Sequence, residues 1–317
     1  MTFLVFLLQR IATGVPLILG VTFISFLLMV YFGPDMTYEL LGKNPTAEQI
    51  AQVRAQLGLD QPFWARYADY LWEMLTLDFG DSMSTGQSVR SLLADAVPIS
   101  LALTLPGFVI GNLLGIALAL AAAWFRGGWI DRGIMAFSVI GMSISFIIII
   151  IAFQILFSSR YGLNFFPIRG WDMSSPGRYL YYVTVPTLAI VFVSLGYNTR
   201  FYRAVFVEEI GRVHIRTAHA FGAGAGAILW KYVLKNSLIP IITRVMFSIP
   251  SIVIAGSLLI ESYFGIPGVG KLAFDAVTTG DQPVLKAVVG ATALLFVLVL
   301  IANDLLYRAV DPRVALR

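Results

Sequence analysis

Six stretches of this chain stay apolar long enough to cross a bilayer, and nothing else in the sequence limits its fold as strongly. They run over 11–32, 98–124, 133–157, 182–205, 241–264 and 286–307. Each reaches the roughly 20 residues that a helix needs to traverse the hydrocarbon. A segment in lipid must satisfy its own backbone, so the expected fold is all-α and integral to the membrane, with six transmembrane helices. Composition agrees: 58% of residues are apolar and only 13% charged, with a mean hydropathy of +0.82. A soluble domain carries about 25% charged residues.

The remaining segments flank and connect these spans. Residues 1–10 are too short to cross alone and fit an N-terminal interfacial segment leading into the first span. No small-residue cleavage site interrupts the run to Phe32, so this span is expected to be retained. Residues 33–97 form a long polar loop with short amphipathic helices. Thr46 and Gln49 have the spacing of a capping box. A second helix starts near Pro62, with Phe63, Tyr67, Tyr70, Leu71 and Met74 on one face, and Trp64 and Trp72 suited to the headgroup region. Gly107, Gly111 and Gly115 leave one face of the second span without side chains, so a neighbouring backbone can come close. The third span holds five consecutive isoleucines from Ile147, and the fifth contains Pro250, where a bend is expected. The core, 98–307, ends in a tail at 308–317.

Most of the 22 Lys and Arg fall on the segments that this arrangement puts inside, and most of the 18 Asp and Glu outside. Both termini are therefore expected in the cytoplasm. The positive charge serves topology and forms no stripe for nucleic acid. With no cysteine, thiolate chemistry is excluded. His214 and His219 do not share a helix face as metal ligands would, and no nucleophile–base pair stands out. The sequence calls for no cofactor and no metal on this chain, and for no catalytic residue.

The densest basic segment lies at 206–240, between the fourth and fifth spans. It contains Arg212, Arg216, Thr217, Ala218, Ala220, Phe221 and Gly222, and later Pro240. Arg216-Thr-Ala-His-Ala-Phe-Gly222 followed by Asn236-Ser-Leu-Ile-Pro240 resembles the "EAA" loop of ABC importer permeases. The Arg-Thr-Ala form looks like the dipeptide/oligopeptide/nickel branch, in its first (B-type) permease subunit. Phe221 departs from that branch, which often has a basic residue there. Gly58-Leu-Asp-Gln-Pro62 and Leu77-Asp-Phe-Gly-Asp-Ser82 resemble the first outer loop of the branch. Asn303-Asp-Leu-Leu-Tyr307 and Asp311-Pro-Arg313 resemble its C-terminal signature.

Gly265-Ile-Pro-Gly-Val-Gly-Lys271 meets the first seven positions of a phosphate-binding loop, but Leu272 replaces the Ser or Thr that would hold magnesium. The better match is Glu261-Ser-Tyr-Phe-Gly-Ile-Pro-Gly-Val-Gly270, which looks like the Glu-x-x-Phe-x-x-Pro-Gly-x-Gly signature of the same branch. Glu261, Pro267, Gly268 and Gly270, with Ser251 and Asn198, are the candidates for a translocation path or outer gate. Glu261 has two readings: it meets the charged amino terminus of a peptide, or it bonds to the turn that follows. Most polar residues within the spans are expected to be interhelical hydrogen bonds.

The resemblance implies a type I ABC importer permease fold in a bacterial cytoplasmic (inner) membrane. It implies a second homologous permease subunit, two cytoplasmic ATPase subunits that bind ATP and Mg, and an extracytoplasmic solute-binding protein. Di- or oligopeptides are the implied cargo, while the solute itself is not readable from the residues. The competing readings are an ion-coupled secondary carrier, which would carry paired inverted repeats, and an intramembrane enzyme, which would need a catalytic pair at membrane depth.

Overall fold

The computed structural model describes residues 3–32, 41, 46–56, 58, 60–251 and 257–310. Its helices are α1 (Phe3–Phe32), α2 (Ala47–Gln56), α3 (Phe63–Thr76), α4 (Val89–Trp124), α5 (Trp129–Ser143), α6 (Phe146–Ser158), α7 (Pro176–Ile210) and α8 (Val213–Ala220). There follow α9, from Ala225 to Leu234 and π-wound from Ile228, then α10 (Leu238–Ser251), α11 (Ser257–Phe264), α12 (Val269–Thr279) and α13 (Gln282–Val310). No strand forms among the described residues. Four helices are long and apolar enough to cross a membrane singly, and two bent pairs bring the number to six. The chain is the all-α membrane protein that its apolar runs demand. It divides into two compact units, Met1–Val97 with Leu272–Ile301, and Pro98–Lys271 with Ala302–Arg317.

In the first unit, α1 is continuous through Gln9 and Arg10. The capping box forms as spelled: the Gln49 N–H donates to Thr46 Oγ1 at 3.3 Å and the Thr46 N–H to Gln49 Oε1 at 2.9 Å. On α3 the apolar face turns inward around a fully buried Tyr70, while Trp64 and Trp72 stay exposed. Phe26 meets Phe63, Tyr67 and Tyr70 with ring centroids 5.3–5.8 Å apart. Aromatic contacts of this kind add about 0.5–1.5 kcal/mol each beyond their burial. Lys286 Nζ reaches Glu73 Oε2 at 2.9 Å, tying α13 to α3. Asp281 caps α13 and accepts from Ser82 Oγ (2.6 Å), Ser84 Oγ (2.8 Å) and the Ser84 N–H (3.1 Å). Burial alone would raise the Asp281 carboxyl, but these hydrogen bonds outweigh it and hold the group below its ordinary range.

The second unit is built on α7. Ser175 caps its start by accepting the Arg178 N–H at 3.3 Å, and Pro176 takes the first position, where no donor is needed. The glycine seam predicted on α4 faces it. A Cβ at Gly107 or Gly111 would lie 2.8 Å from Ile190 or Ser194, and one at Gly115 would lie 3.1 Å from Asn198. On another side, Gly196 of α7 meets Gly141 of α5, where an added Cβ would come within 3.1 Å of backbone.

The backbone bends sharply at two places that the sequence reading did not mark. The run over 133–157 breaks at Ile144 and Ser145, both extended, and α5 and α6 diverge by 103°. Ser143 Oγ bonds back to the Val139 carbonyl at 2.7 Å, an interaction that bends helices, and the Ser145 carbonyl restarts the ladder for α6. The second bend falls ahead of the expected fifth span: α9 and α10 differ by 60°, where the Ser237 N–H is shared between the Val233 and Leu234 carbonyls, while the chain just past Pro250 lies outside the described residues. Pro250 lies in the last turn of α10. The second span also starts earlier than expected, at Val89, with Pro98 inside the helix.

Candidate functional site

The basic segment after α7 folds as a short helix on a two-residue link. Gly211 closes α7, and Arg212 turns extended (ψ 153) to become the residue that precedes α8. Ile215 faces inward onto a core of Tyr202, Phe206, Ile228 and Val233, and Ala218 is buried as well. The opposite face carries Arg212, Val213, Arg216, Thr217, Ala220 and Phe221, all exposed, with Val213 at 74% and Phe221 at 88%. Two large apolar side chains this bare at the ends of one helix, with a cation between them, form a surface that packs on nothing else among the described residues.

Gly222 closes α8 as the sequence predicts. Its φ is +79°, the left-handed region, and the Ala223 N–H reaches back to the Ala218 carbonyl (3.0 Å) while the Gly222 N–H bonds to that of His219 (2.9 Å). This is the Schellman arrangement, which satisfies carbonyls that a helix end leaves open. The signature residues therefore separate. Arg212, Arg216, Thr217, Ala220 and Phe221 are on the surface, Ala218 is packed inside, and Pro240 sits half-buried in the first turn of α10, where a helix needs no N–H.

The positive charge of the segment is also divided. Arg203 holds Asp131 in a two-point pair, Nε to Oδ1 at 2.5 Å and Nη2 to Oδ2 at 2.6 Å, and the Gly127 N–H completes the carboxylate at 2.9 Å. Such fork-to-fork geometry fixes orientation as well as charge. Arg212 pairs with Glu208 (3.2 Å) and with the buried Glu209 (3.0 Å). Glu209 also faces His214 Nε2 at 3.0 Å. Sequence reading missed Asp131 and Glu209 as organisers of this end, and the buried carboxylates beside arginines were the signal available.

In the Glu261–Gly270 turn the carboxylate is bonded to the turn that follows it. Glu261 is 0% exposed. Ser100 Oγ donates to its Oε1 at 2.6 Å, the Lys271 N–H donates to Oε2 at 3.0 Å, and the Ile266 N–H bonds to its main-chain carbonyl at 2.8 Å. Ser100 Oγ in turn accepts the Val269 N–H at 2.8 Å. Glu261 and Ser100 thus cap the open N–H groups at the start of α12. The residues that imitate a phosphate loop do surround an anion, and it is the protein's own carboxylate. A Cβ on Gly268 would stand 2.5 Å from that carboxylate, and one on Gly270 would stand 2.4 Å from the Leu258 nitrogen. Of the signature residues only Pro267 is exposed.

Two further polar side chains within the spans make hydrogen bonds to other elements. Asn198 is buried and donates to Asn112 Oδ1 at 3.2 Å, which also accepts from Tyr202 Oη at 2.6 Å, joining α4 to α7. Gln154 of α6 accepts from Tyr263 Oη (2.7 Å) and donates to the Ile168 carbonyl (2.7 Å). The Ser251 side chain and residues 311–317 lie outside the described residues. No group of three or more His, Cys, Asp or Glu that could hold a metal occurs among the described residues.

Residues 111–316 match the family described as binding-protein-dependent transport system inner membrane component, and residues 3–104 match the N-terminal domain of such membrane components. A dipeptide transport system permease protein, DppB, of Lactococcus lactis is 33% identical over 95% of both chains. An inner membrane ABC transporter permease protein, YejB, of Escherichia coli O157:H7 is 31% identical over 86% of this chain and 78% of its own length. A further DppB, from Alkalihalophilus pseudofirmus, is 26% identical over 98% of this chain and 99% of that one.

Proposed function

From the premise that the chain belongs to the binding-protein-dependent transport system inner membrane components, as a multi-pass permease, we propose that it forms half of an ATP-driven peptide importer. In this reading α8 docks into a groove on a cytoplasmic ATPase subunit. A second permease like this one completes the path, two ATPases bind ATP and Mg, and an extracytoplasmic binding protein delivers the peptide. Both termini then lie in the cytoplasm, which puts α8 and the Asp131–Arg203 pair on the ATPase side.

The carrying observation is the bare face of α8: Val213 and Phe221 exposed, Arg216 between them, on a helix whose other face is locked into the core. A partner burying such anchors gains most of its affinity from a few residues, and apolar anchors beside an Arg are typical of them. ATP acts by favouring one conformation of the pair, and a shift from 1:99 to 99:1 requires about 5.5 kcal/mol of differential binding. Peptide as cargo rests on what the two DppB relatives are named for. Substrate contact by Glu261 is not part of this reading, because its carboxylate is taken up by the turn. Exposed Pro267 is the part of that signature left to meet the binding protein.

The test is co-expression with the ATPase subunits. Phe221→Ala with Arg216→Glu should leave the chain inserted and folded, and should lower ATPase co-purification and peptide uptake at least tenfold. Full uptake by the double variant would rule out docking through α8.

A further inference from the structure

We propose that Arg244, seated over the Phe201 ring, is the group that takes the terminal carboxylate of the peptide at the inner mouth of the path. This rests on the peptide-importer reading given above, and adds a residue of this chain that recognises the cargo.

Arg244 lies in α10, within the apolar run over 241–264 and about one helical turn from its first residue. Phe201 lies in α7, about one turn from the last residue of the run over 182–205. On the topology of that reading, both stand just inside the cytoplasmic limit of the hydrocarbon. The Arg244 Cζ is 5.8 Å from the centroid of the Phe201 ring, a cation–π distance. The ring itself is held in place. It meets Tyr202 edge-on, with centroids 5.8 Å apart and planes at 74°. Tyr202 is fully buried, and its Oη donates to Asn112 Oδ1 at 2.6 Å. Asn198 donates to the same oxygen at 3.2 Å, so α4 and α7 together brace the platform.

The charge of Arg244 is not balanced as its neighbours' charges are. Arg203 is matched by Asp131, and Arg212 by Glu208 and Glu209. Arg244 makes no ion pair or hydrogen bond among the described residues, and its Nε is buried without an acceptor. A guanidinium has five N–H donors, and an unmatched charge at membrane depth is costly. A charge that served topology alone would sit in a wet loop, with no need of a ring beneath it. Its counterpart therefore comes from outside the chain, and the planar fork of a guanidinium suits a carboxylate. Every unmodified peptide ends in that group, whatever its length or side chains. Tyr197, one turn before Phe201, and Phe247, one turn after Arg244, are exposed on the same helix faces. They offer apolar surface beside the cation for the last side chain of the cargo.

The experiment uses the complete transporter in proteoliposomes, with the binding protein outside and ATP inside. An alanine peptide is loaded into the lumen as the free acid or as its C-terminal amide, and its inhibition of peptide uptake is measured. Luminal peptide reaches the inner mouth without passing the binding protein, so the comparison reports on the permease alone. In the wild type the acid should half-inhibit at about one tenth the concentration of the amide, the difference expected for one charge-assisted hydrogen bond. Arg244→Gln should remove that difference. Phe201→Leu keeps the charge and takes away its platform, and should shrink the difference about threefold. It carries the test should Arg244→Gln not insert. Equal inhibition by acid and amide in the wild type, or a difference that survives both variants, overturns the site. So does a loss of uptake in Arg244→Gln that occurs only in vesicles containing phosphatidylglycerol, which would assign the cation to a lipid headgroup. Separation of the permease subunits by Arg244→Gln on gel filtration would instead assign it to the partner chain, and the proposal fails there too. If the wild type takes up no peptide at all, the importer reading falls and the site with it. If it takes up peptide and only the acid–amide difference is missing, the site alone falls.

Discussion

Helix α8 and the Glu261–Gly270 turn are both followed or closed by glycine, and both carry motifs in which the sequence resembles the ABC importer permease branch. In α8 a buried pair, Ile215 and Ala218, backs an exposed row led by Val213 and Phe221. In the turn, Glu261, Phe264, Gly268 and Gly270 are withdrawn from solvent, and only Pro267 faces out. The glycines differ in the same sense. Gly222 meets nothing within 4 Å and is needed for its φ, whereas Gly268 and Gly270 are needed for room. One motif leaves large side chains bare to its surroundings, and the other turns its residues into its own fold. Similar spelling does not separate those uses; burial does.

The contrast breaks first, if it is to break, at Gly270. A side chain there must displace backbone 2.4 Å away, so Gly270→Val should cost at least the upper end of the roughly 1–3 kcal/mol set by overpacking. The readout is the thermal midpoint of the detergent-purified chain, with an unchanged midpoint and lost uptake as the outcome that would make the turn a contact surface. Next comes Glu261→Gln, which removes charge from the cap on α12 and should destabilise by about 1.5–3 kcal/mol without altering which peptides are carried. Competition between neutral and acidic peptides for uptake checks the second half of that statement. Smallest is Gly222→Ala, about 1 kcal/mol for a left-handed Cβ with space around it. Calorimetry on matched preparations sharpens the comparison, because Gly222→Asn, which tolerates that conformation, should recover part of the loss.

Much of this was legible beforehand because it is local. The capping box of Thr46 and Gln49, the side-chain-free face of α4 and the end of α8 at Gly222 each follow from residues a few positions apart. The 103° break at Ile144 and Ser145 was hidden, since hydropathy runs unbroken through it and records nothing of backbone direction. The partner of Glu261 was hidden for a different reason: Ser100 is 161 residues away in sequence. Ala218 belongs to the signature, yet its burial depends on tertiary packing that no pattern within the loop reveals. The pairing of Glu209 with Arg212 was overlooked because the basic segment was read by its net charge.

The turn around Glu261 is a receptor whose guest is covalently tethered. A ligand attached to its own host competes at an effective concentration that dissolved anions do not match. Chloride, phosphate or the carboxylates of passing peptides will therefore not exchange into it, and the start of α12 should keep its shape across wide changes in the ionic composition of the medium.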